Sequence, residues 1–305
     1  MDVTKTHKTE MFFLGKASSL LARFRNTCGK EWTEDPLGFC RWIHEQVPSW
    51  MPATWRVYRS ALAYYYTSIG EGEMAQYITA IGSERCNRNS QISSNQKAKA
   101  LPEKDIKQIL DALEEDRGKY GPLLGLWLLA GRIVGLRPSE WEYARLENDV
   151  LIVRNAKTTN GRSHGPIRTL LLHDLPEDQK EVISLFIEGL QKHLKSDDMN
   201  RIYQAAKRRL HRVCRKIWPA RTKYPTLYSG RHQFSADLKR AGVSEAAIAA
   251  LFGHAVIETA QIHYGRKNQG EDGYAFVCAD QYNINAVRKN TGTPYLQRRN
   301  KNPEN

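Results

Sequence analysis

The chain has 305 residues, 41% of them hydrophobic, and a net charge of +13. That length allows a sizeable core and predicts two domains rather than one. The five cysteines, Cys28, Cys40, Cys86, Cys214 and Cys278, are odd in number and widely scattered; this excludes a disulfide framework and a cysteine metal site, and predicts free, mostly buried thiols in a reducing compartment.

The opening segment MDVTKTHKTEMFFLGKASSLLARF lacks the basic-then-apolar order of a secretory signal. Residues 11 to about 82 read as helical throughout. MFFLGKASSLLARFRN, DPLGFCRWIHEQV, PATWRVYRSALAYYYTSIG and EMAQYITAI each repeat apolar residues at three- and four-residue spacing, and Pro52 and Thr54 suit the start of the third. The segment Gly82 to Ala100 is polar, rich in Ser and Asn and without apolar period, which predicts a linker over 83–100. The expected domains are therefore 10–82, all helical, and 101–290, mainly helical.

Helical pattern resumes at Leu101, with Pro102 and Glu103 suited to a first turn. The longest apolar run, Leu123 to Leu136, is interrupted by Arg132 and falls short of the roughly 20 residues that span a bilayer. It predicts a buried helix, and a cytoplasmic protein. From Asp149 the pattern turns to strand: DVLIVRNAKTTNGRSHGPIRTLLL has two runs rich in Val, Ile, Leu and Thr around a Thr-Thr-Asn-Gly-Arg turn, a β-hairpin signal. After Pro176 the chain reads as helical again, and 291–305 as a polar tail. The predicted fold class is mainly α: an all-helical N-terminal domain plus a mainly helical domain with a small antiparallel β-sheet.

The charge is informative once it is located. Residues 1–96 hold 11 Lys/Arg against 9 Asp/Glu, whereas 199–240 alone hold 12 Lys/Arg and a single acid, Asp237. That concentration is the footprint of a polyanionic partner. In AAKRRLHRVCRKIWPARTK, helical spacing gathers Leu210, Val213, Cys214, Ile217 and Trp218 on one face and throws Arg208, Arg209, Arg212, Arg215 and Lys216 to the other. A solvated helix face would mix in acids, and this one has none, so phosphate contact with DNA is the favoured reading.

Four segments of the second domain carry chemistry. GRIVGLRPSEW supplies Arg137, RNAKTTNGR supplies Lys157 beside the hairpin turn, LYSGRHQF supplies Arg231, and LFGHAVIETAQIHYGRK supplies His254 and Tyr264. Singly, each has an ordinary structural reading: a helix-start ion pair, a solvated lysine, a satisfied core histidine. Jointly, RHQFSADLKRAGVSEAAIAALFGH, with His254 23 positions after Arg231, resembles the second signature box of the tyrosine recombinases, the phage-integrase family. GLRPSEW resembles that family's first box, KAKALPEKDIKQIL the start of its catalytic domain, and PATWRVYRSAL its N-terminal DNA-clamping domain.

The resemblance covers about residues 10 to 270. It implies a DNA breaking-rejoining fold in which Arg137, Lys157, Arg231, His254 and Tyr264 are catalytic, and the chemistry agrees. Attack by a phenolate on a phosphodiester builds charge on non-bridging oxygens, which two guanidiniums hold by bidentate hydrogen bonds. Lys157 is the candidate to protonate the departing 5′-oxygen, and His254 to donate to a phosphoryl oxygen or assist the tyrosine. A phenol with a pKa near 10 needs surrounding positive charge to act at neutral pH. Thr54, Arg56 and Arg59 are candidates to touch the DNA backbone from the N-terminal domain. The implied partner is double-stranded DNA with specific sites, bound in a synaptic homotetramer, with accessory DNA-bending proteins; Gln281 to Asn290 is the element expected to dock on a neighbouring copy. No metal or cofactor is called for.

Two positions depart from the family pattern. Tyr228 stands where the family has histidine three residues before the second arginine, and would donate a hydrogen bond rather than accept a proton. The family's nucleophile lies nine positions after the Gly-His histidine, where this chain has His263, with Tyr264 one further. The expected function is a site-specific recombinase working through a 3′-phosphotyrosyl intermediate, as integrase or resolvase of a mobile element or plasmid. A non-catalytic DNA-binding relative, a telomere-resolvase-like enzyme and a type IB topoisomerase-like enzyme are the alternatives.

Overall fold

The computed structural model describes residues 5–88, 97–114, 118–258, 265–274 and 276–288. The chain divides into two compact units, Met1–Ile92 and Ser93–Asn305. The polar tail from 291 and the residues Tyr264 and His263 lie outside the described residues.

The first unit is four helices, α1 (His7–Cys28), α2 (Pro36–Gln46), α3 (Pro52–Ser68) and α4 (Gly72–Ala80). Their ends follow from side chains that satisfy orphan backbone groups. The Thr6 hydroxyl accepts from the Thr9 amide, and the Asp35 carboxylate accepts from the Gly38 amide. Leu20, Phe24, Phe39, Ile43, Trp55, Leu62, Tyr66 and Ile78 fill the core. Phe24 meets Phe39 edge to face at 5.2 Å, and Trp32 meets Tyr66 likewise at 4.9 Å. Part of the expected linker belongs to this unit: Trp55 donates through Nε1 to the Gly82 carbonyl at 2.9 Å, the Asn87 amide donates to the Trp50 carbonyl, and Cys86 is buried. Those ties are hydrogen bonds to backbone, which leave no apolar period to read.

The second unit runs α5 (Glu103–Glu114), α6 (Gly121–Val134), a 3-10 turn (Pro138–Tyr143), β1 (Arg145–Glu147), β2 (Val150–Arg154), β3 (Ile167–Leu171), α7 (Glu177–Leu194), α8 (Met199–Ile217), α9 (Ser229–Arg240), α10 (Glu245–Leu251), β4 (Cys278–Ala279) and α11 (Gln281–Asn285). It is mainly helical with one small antiparallel sheet, ordered β1-β2-β3-β4. α6 is the helix predicted from the long apolar run and is buried nearly all round, Arg132 included. It packs on α7 and α9, with Trp127 against Phe186 at 5.4 Å and Trp141 edge-on to Phe186 at 4.8 Å.

The sheet is larger than the expected hairpin. β2 and β3 are the predicted strands, paired Val150↔Leu171 through Arg154↔Ile167. β1 adds three residues on one edge, two of them exposed, and returns through Asn148 at φ 52. β4 adds two residues beside β3, in a region that reads as helical in the sequence. Strands this short contain too few residues to show a period of two. The C-terminal segment 281–288 packs on its own chain: the Arg288 amide donates to the Ala255 carbonyl at 3.0 Å, and the Ile257 amide to the Arg288 carbonyl at 3.2 Å.

Candidate active site

Glycines decide where the arginines stand. α6 ends at Gly135, whose φ of 63 is the left-handed turn that stops a helix, and where a Cβ would run into the Phe234 ring. Two residues on, Arg137 is extended (φ −69, ψ 147), and Pro138 starts the 3-10 turn. On the facing helix, a Cβ at Gly230 would lie 2.8 Å from the Gly131 carbonyl carbon. Only glycine at 230 lets α9 come this close to α6, and that approach delivers Arg231 to the end of α6.

Arg137 and Arg231 converge on the same two acceptors. Arg231 donates through Nη1 to the Gly135 carbonyl at 2.7 Å and through Nη2 to the Phe252 carbonyl at 2.9 Å; Arg137 Nη1 reaches that Phe252 carbonyl at 3.3 Å. The Arg231 guanidinium lies 4.2 Å over the Phe252 ring, which in turn stacks on Phe234. The second acceptor is Glu140. Its Oε1 accepts from Arg137 Nη1 at 2.6 Å, its Oε2 accepts from the Arg137 amide at 2.8 Å, and Arg231 Nη1 stands 3.6 Å from Oε2. The ordinary reading of Arg137, a helix-start ion pair with Glu140, and its placement beside Arg231 are both present.

A third arginine completes the cluster. Arg168 of β3 is opposite Val153 and points inward, fully buried. It donates through Nη2 to Glu140 Oε2 at 2.8 Å, through Nε to the Leu251 carbonyl at 2.8 Å, and through Nη1 to Asn155 Oδ1. Burial by itself would raise the Glu140 carboxyl; the Arg168, Arg231 and Arg137 guanidiniums outweigh it and hold the group well below the usual carboxylate range. Glu140, Asn155 and Arg168 are not among the residues singled out from the sequence. An arginine at an inward position of the apolar run PIRTLLL is the signal that marks Arg168, because an unpaired charge there is too costly to bury.

His254 joins them at the end of α10. Gly253 (φ 67) turns the chain, the His254 amide donates to the Ala249 carbonyl at 2.9 Å, and the ring sits 5.7 Å from that of Phe252, 2% exposed. Burial first, then the charges of Arg231, Arg137 and Arg168, push its pKa down to about 2. The imidazole is neutral at any physiological pH. Arg137, Arg231 and His254 are thus brought together. Lys157 is exposed on the β2–β3 connection, whose Ala156 amide points at Glu140 Oε1 from 3.4 Å. Tyr228 is half-buried at the head of α9, its ring edge-on to that of His232 at 5.3 Å. Burial first, and then nearby Lys99, Arg231 and Lys239, push His232 down to about 4. Gly265, the residue after Tyr264, lies so close to α9 that a Cβ there would strike the His232 carbonyl, and Lys239 Nζ donates to the Gly265 carbonyl at 2.9 Å.

The basic face of α8 is as its spacing predicts. Leu210, Val213 and Cys214 are buried and Ile217 and Trp218 half-buried, while Arg208, Arg212, Arg215 and Lys216 are exposed; Arg209 is half-buried, lying against Gly118. A cleft of about 400 Å³ beside this face is lined by Lys97, Lys207, Arg208, His211 and Tyr224. A wider groove of about 950 Å³ near β1 is mixed in charge, with Glu142, Asp197 and Asp198 beside Arg145 and Arg201. In the first unit Arg56 is exposed and Thr54 half-buried, whereas Arg59 donates to the Ile81 carbonyl at 3.1 Å and so braces the end of α4.

The chain aligns with three solved structures. A lambda integrase dimer bound to a COC′ core site is 16% identical, with a TM-score of 0.55, over 85% of this chain and 72% of that one. A lambda integrase tetramer bound to a Holliday junction matches at 16% identity and a TM-score of 0.49, over 83% and 70%. The Tn1549 transposon integrase in complex with transposon right end DNA matches at 15% and 0.48, over 86% and 90%. No curated protein matches the sequence significantly. The sequence profile of the Phage integrase family matches residues 99–271, more than half of the chain and all of the arginine cluster, so the protein belongs to the phage integrase family, the tyrosine-type site-specific recombinases.

Proposed function

We propose that this recombinase cuts and reseals DNA through a 3′-phosphotyrosyl bond to Tyr264, with Arg137 and Arg231 on the non-bridging oxygens of the scissile phosphate. The observation that carries the reading is the convergence of those two guanidiniums on the Phe252 carbonyl and Glu140, next to a neutral His254. Two fixed, desolvated guanidiniums stabilise the charge of a pentacoordinate phosphorus far better than solvated ones. Of the buried side chains, Arg137 retains 10% exposure and Arg231 none, so contact of Arg231 with a phosphate entails an opening of the surrounding chain.

An imidazole with a pKa near 2 is a poor base, so the role of His254 is that of an N–H donor to a phosphoryl oxygen. Lys157, outside the buried cluster on its connection, protonates the leaving 5′-oxygen. Tyr228 adds a hydroxyl donor in place of the family's histidine. The O–P bond to Tyr264 forms as the P–O5′ bond breaks and is exchanged back on resealing, so the phosphodiester energy is kept. Exposed Arg208, Arg212, Arg215 and Lys216, with half-buried Arg209, bind phosphates, and Thr54 and Arg56 contribute from the first unit; Arg59 has a structural bond to keep. Exchange between two sites calls for four copies, as integrase or resolvase of a mobile element or plasmid.

The test begins with duplexes selected by the full chain from a random-sequence library, then nicked next to the cleavage position so that the short 5′-hydroxyl product is lost. The wild type is expected to give a denaturation-resistant protein–DNA band that Tyr264→Phe does not. Bound DNA without such a band would make the chain a binding protein only, and relaxation of supercoiled plasmid lacking any selected site would make it a topoisomerase.

A further inference from the structure

We infer that Arg168 is a positioning residue for the cleavage reaction: it fastens Glu140, the β2–β3 connection and the end of α10 into one frame that aims Arg137 and Arg231. The inference rests on the proposed roles of those two arginines. Arg168 itself is 0% exposed, and its three side-chain nitrogens all donate to protein acceptors. Its three bonds run to three different segments, each next to a residue of the proposed reaction. Glu140 holds Arg137, Asn155 lies two residues from Lys157, and Leu251 ends the helix that presents the Phe252 carbonyl and His254. Asn155 is itself locked, donating from Nδ2 to the Gly165 carbonyl at 2.8 Å, with its amide on the Pro166 carbonyl. A Cβ on Gly253 would collide with Asn155 and approach Arg168 Nη1 to 3.1 Å, so the turn before His254 is moulded onto this pair.

Stability gives little reason for a charge here. Arg168 alternates with Leu170 on the inward side of β3, where an apolar side chain would serve at least as well, since a buried ion pair rarely gains over well-packed apolar residues. What the pair does is occupy Glu140 Oε2. With Arg168 there at 2.8 Å, Arg231 stays at 3.6 Å and directs its two nitrogens to the Gly135 and Phe252 carbonyls. Without Arg168, Arg231 stands 3.6 Å from an oxygen that has lost its partner cation, which would draw it off those carbonyls. Three guanidiniums and one carboxylate leave two positive charges in the cluster, which match the two negative charges formed when a phenolate attacks a phosphodiester. The variants Arg168→Lys and Arg168→Met/Glu140→Gln keep the net charge of the cluster and alter only how Arg137 and Arg231 are aimed.

The experiment uses the full chain with Arg168→Lys, and with Arg168→Met/Glu140→Gln, in which the pair is replaced by neutral groups. Single-turnover cleavage is started on pre-formed complexes with the nicked duplexes, so that differences in stability do not enter. A second substrate series carries a methylphosphonate at the scissile position, which removes one negative charge. Both variants are expected to bind within about 3-fold of wild type, because no phosphate-contacting surface changes, and to cleave the phosphodiester at least about 100-fold more slowly. That deficit is expected to shrink about 10-fold or more on the methylphosphonate, where less charge has to be held. Cleavage of the phosphodiester at the wild-type rate by either bound variant, or an equal deficit on both substrates, overturns the inference. Absence of an adduct with the wild type itself would instead overturn the reading of the reaction on which it rests.

Discussion

Arginine is used in two opposite ways in the second unit. Around Glu140, three guanidiniums are buried, each fixed by carbonyls or carboxylate; on α8, Arg208, Arg212 and Arg215 stand exposed in a row with no acid on their face. The first arrangement places charge at one point in a medium of low polarisability, where it acts strongly on a single phosphate. The second spreads charge over a surface, where its effect is release of counterions from many phosphates and is screened by salt. Under the proposed function the buried cluster sets rate and the exposed face sets affinity, and each should be alterable without the other.

The largest expected effect lies at the buried end. Arg231→Met should lower single-turnover cleavage about 10³-fold or more, with Arg231→Lys little better because a lysine cannot span the Gly135 and Phe252 carbonyls. Filter binding of the same proteins should show unchanged affinity. At the exposed end, Arg212→Gln/Arg215→Gln/Lys216→Gln should flatten the dependence of log affinity on log salt by about 0.9 for each phosphate that is no longer neutralised, while bound complexes cleave at the wild-type rate. Smaller still, Tyr228→Phe should slow cleavage about 10-fold through removal of one hydrogen-bond donor, with no change in salt slope.

The buried cluster also predicts a response to acid that the exposed face lacks. His254 has its folded pKa lowered to about 2 from an ordinary 6.5, so the unfolded chain takes up the proton first. Stability is complete above pH 6.5 and falls as the pH drops toward 2, by about 1.4 kcal/mol per pH unit well below 6.5. Between pH 6.5 and 5 the loss is between about 1 and 2 kcal/mol. Urea unfolding of the full chain at the two pH values checks this, and His254→Asn should remove that part of the slope.

Much of this was legible in the sequence, and the rest was not for physical reasons. The helices of both units show in three- and four-residue spacing, and the basic face of α8 in its lack of acids, because both are properties of one segment. The convergence of Arg137, Arg231 and His254 was reached through the resemblance of their motifs to those of the tyrosine recombinases. Glu140 was visible only as the partner of Arg137, since a local ion pair explains it fully until Arg168 is seen to share it. Arg168 is joined to Asn155, Glu140 and the Leu251 carbonyl across 13, 28 and 83 residues of sequence separation, and nothing within one segment reveals such a bond. β1 and β4 escape for the opposite reason: three and two residues are too few to form a pattern.

The most direct test of the division between rate and affinity is to measure, on the same selected duplex, the equilibrium affinity and the rate of phosphotyrosyl adduct formation for Arg231→Met and for Arg212→Gln/Arg215→Gln. The predicted result is a crossing: Arg231→Met binds as wild type and forms almost no adduct, and the α8 variant binds weakly yet forms adduct at the wild-type rate once bound. If affinity and rate fall together in both proteins, the buried cluster and the exposed face are a single binding surface, and the account is wrong.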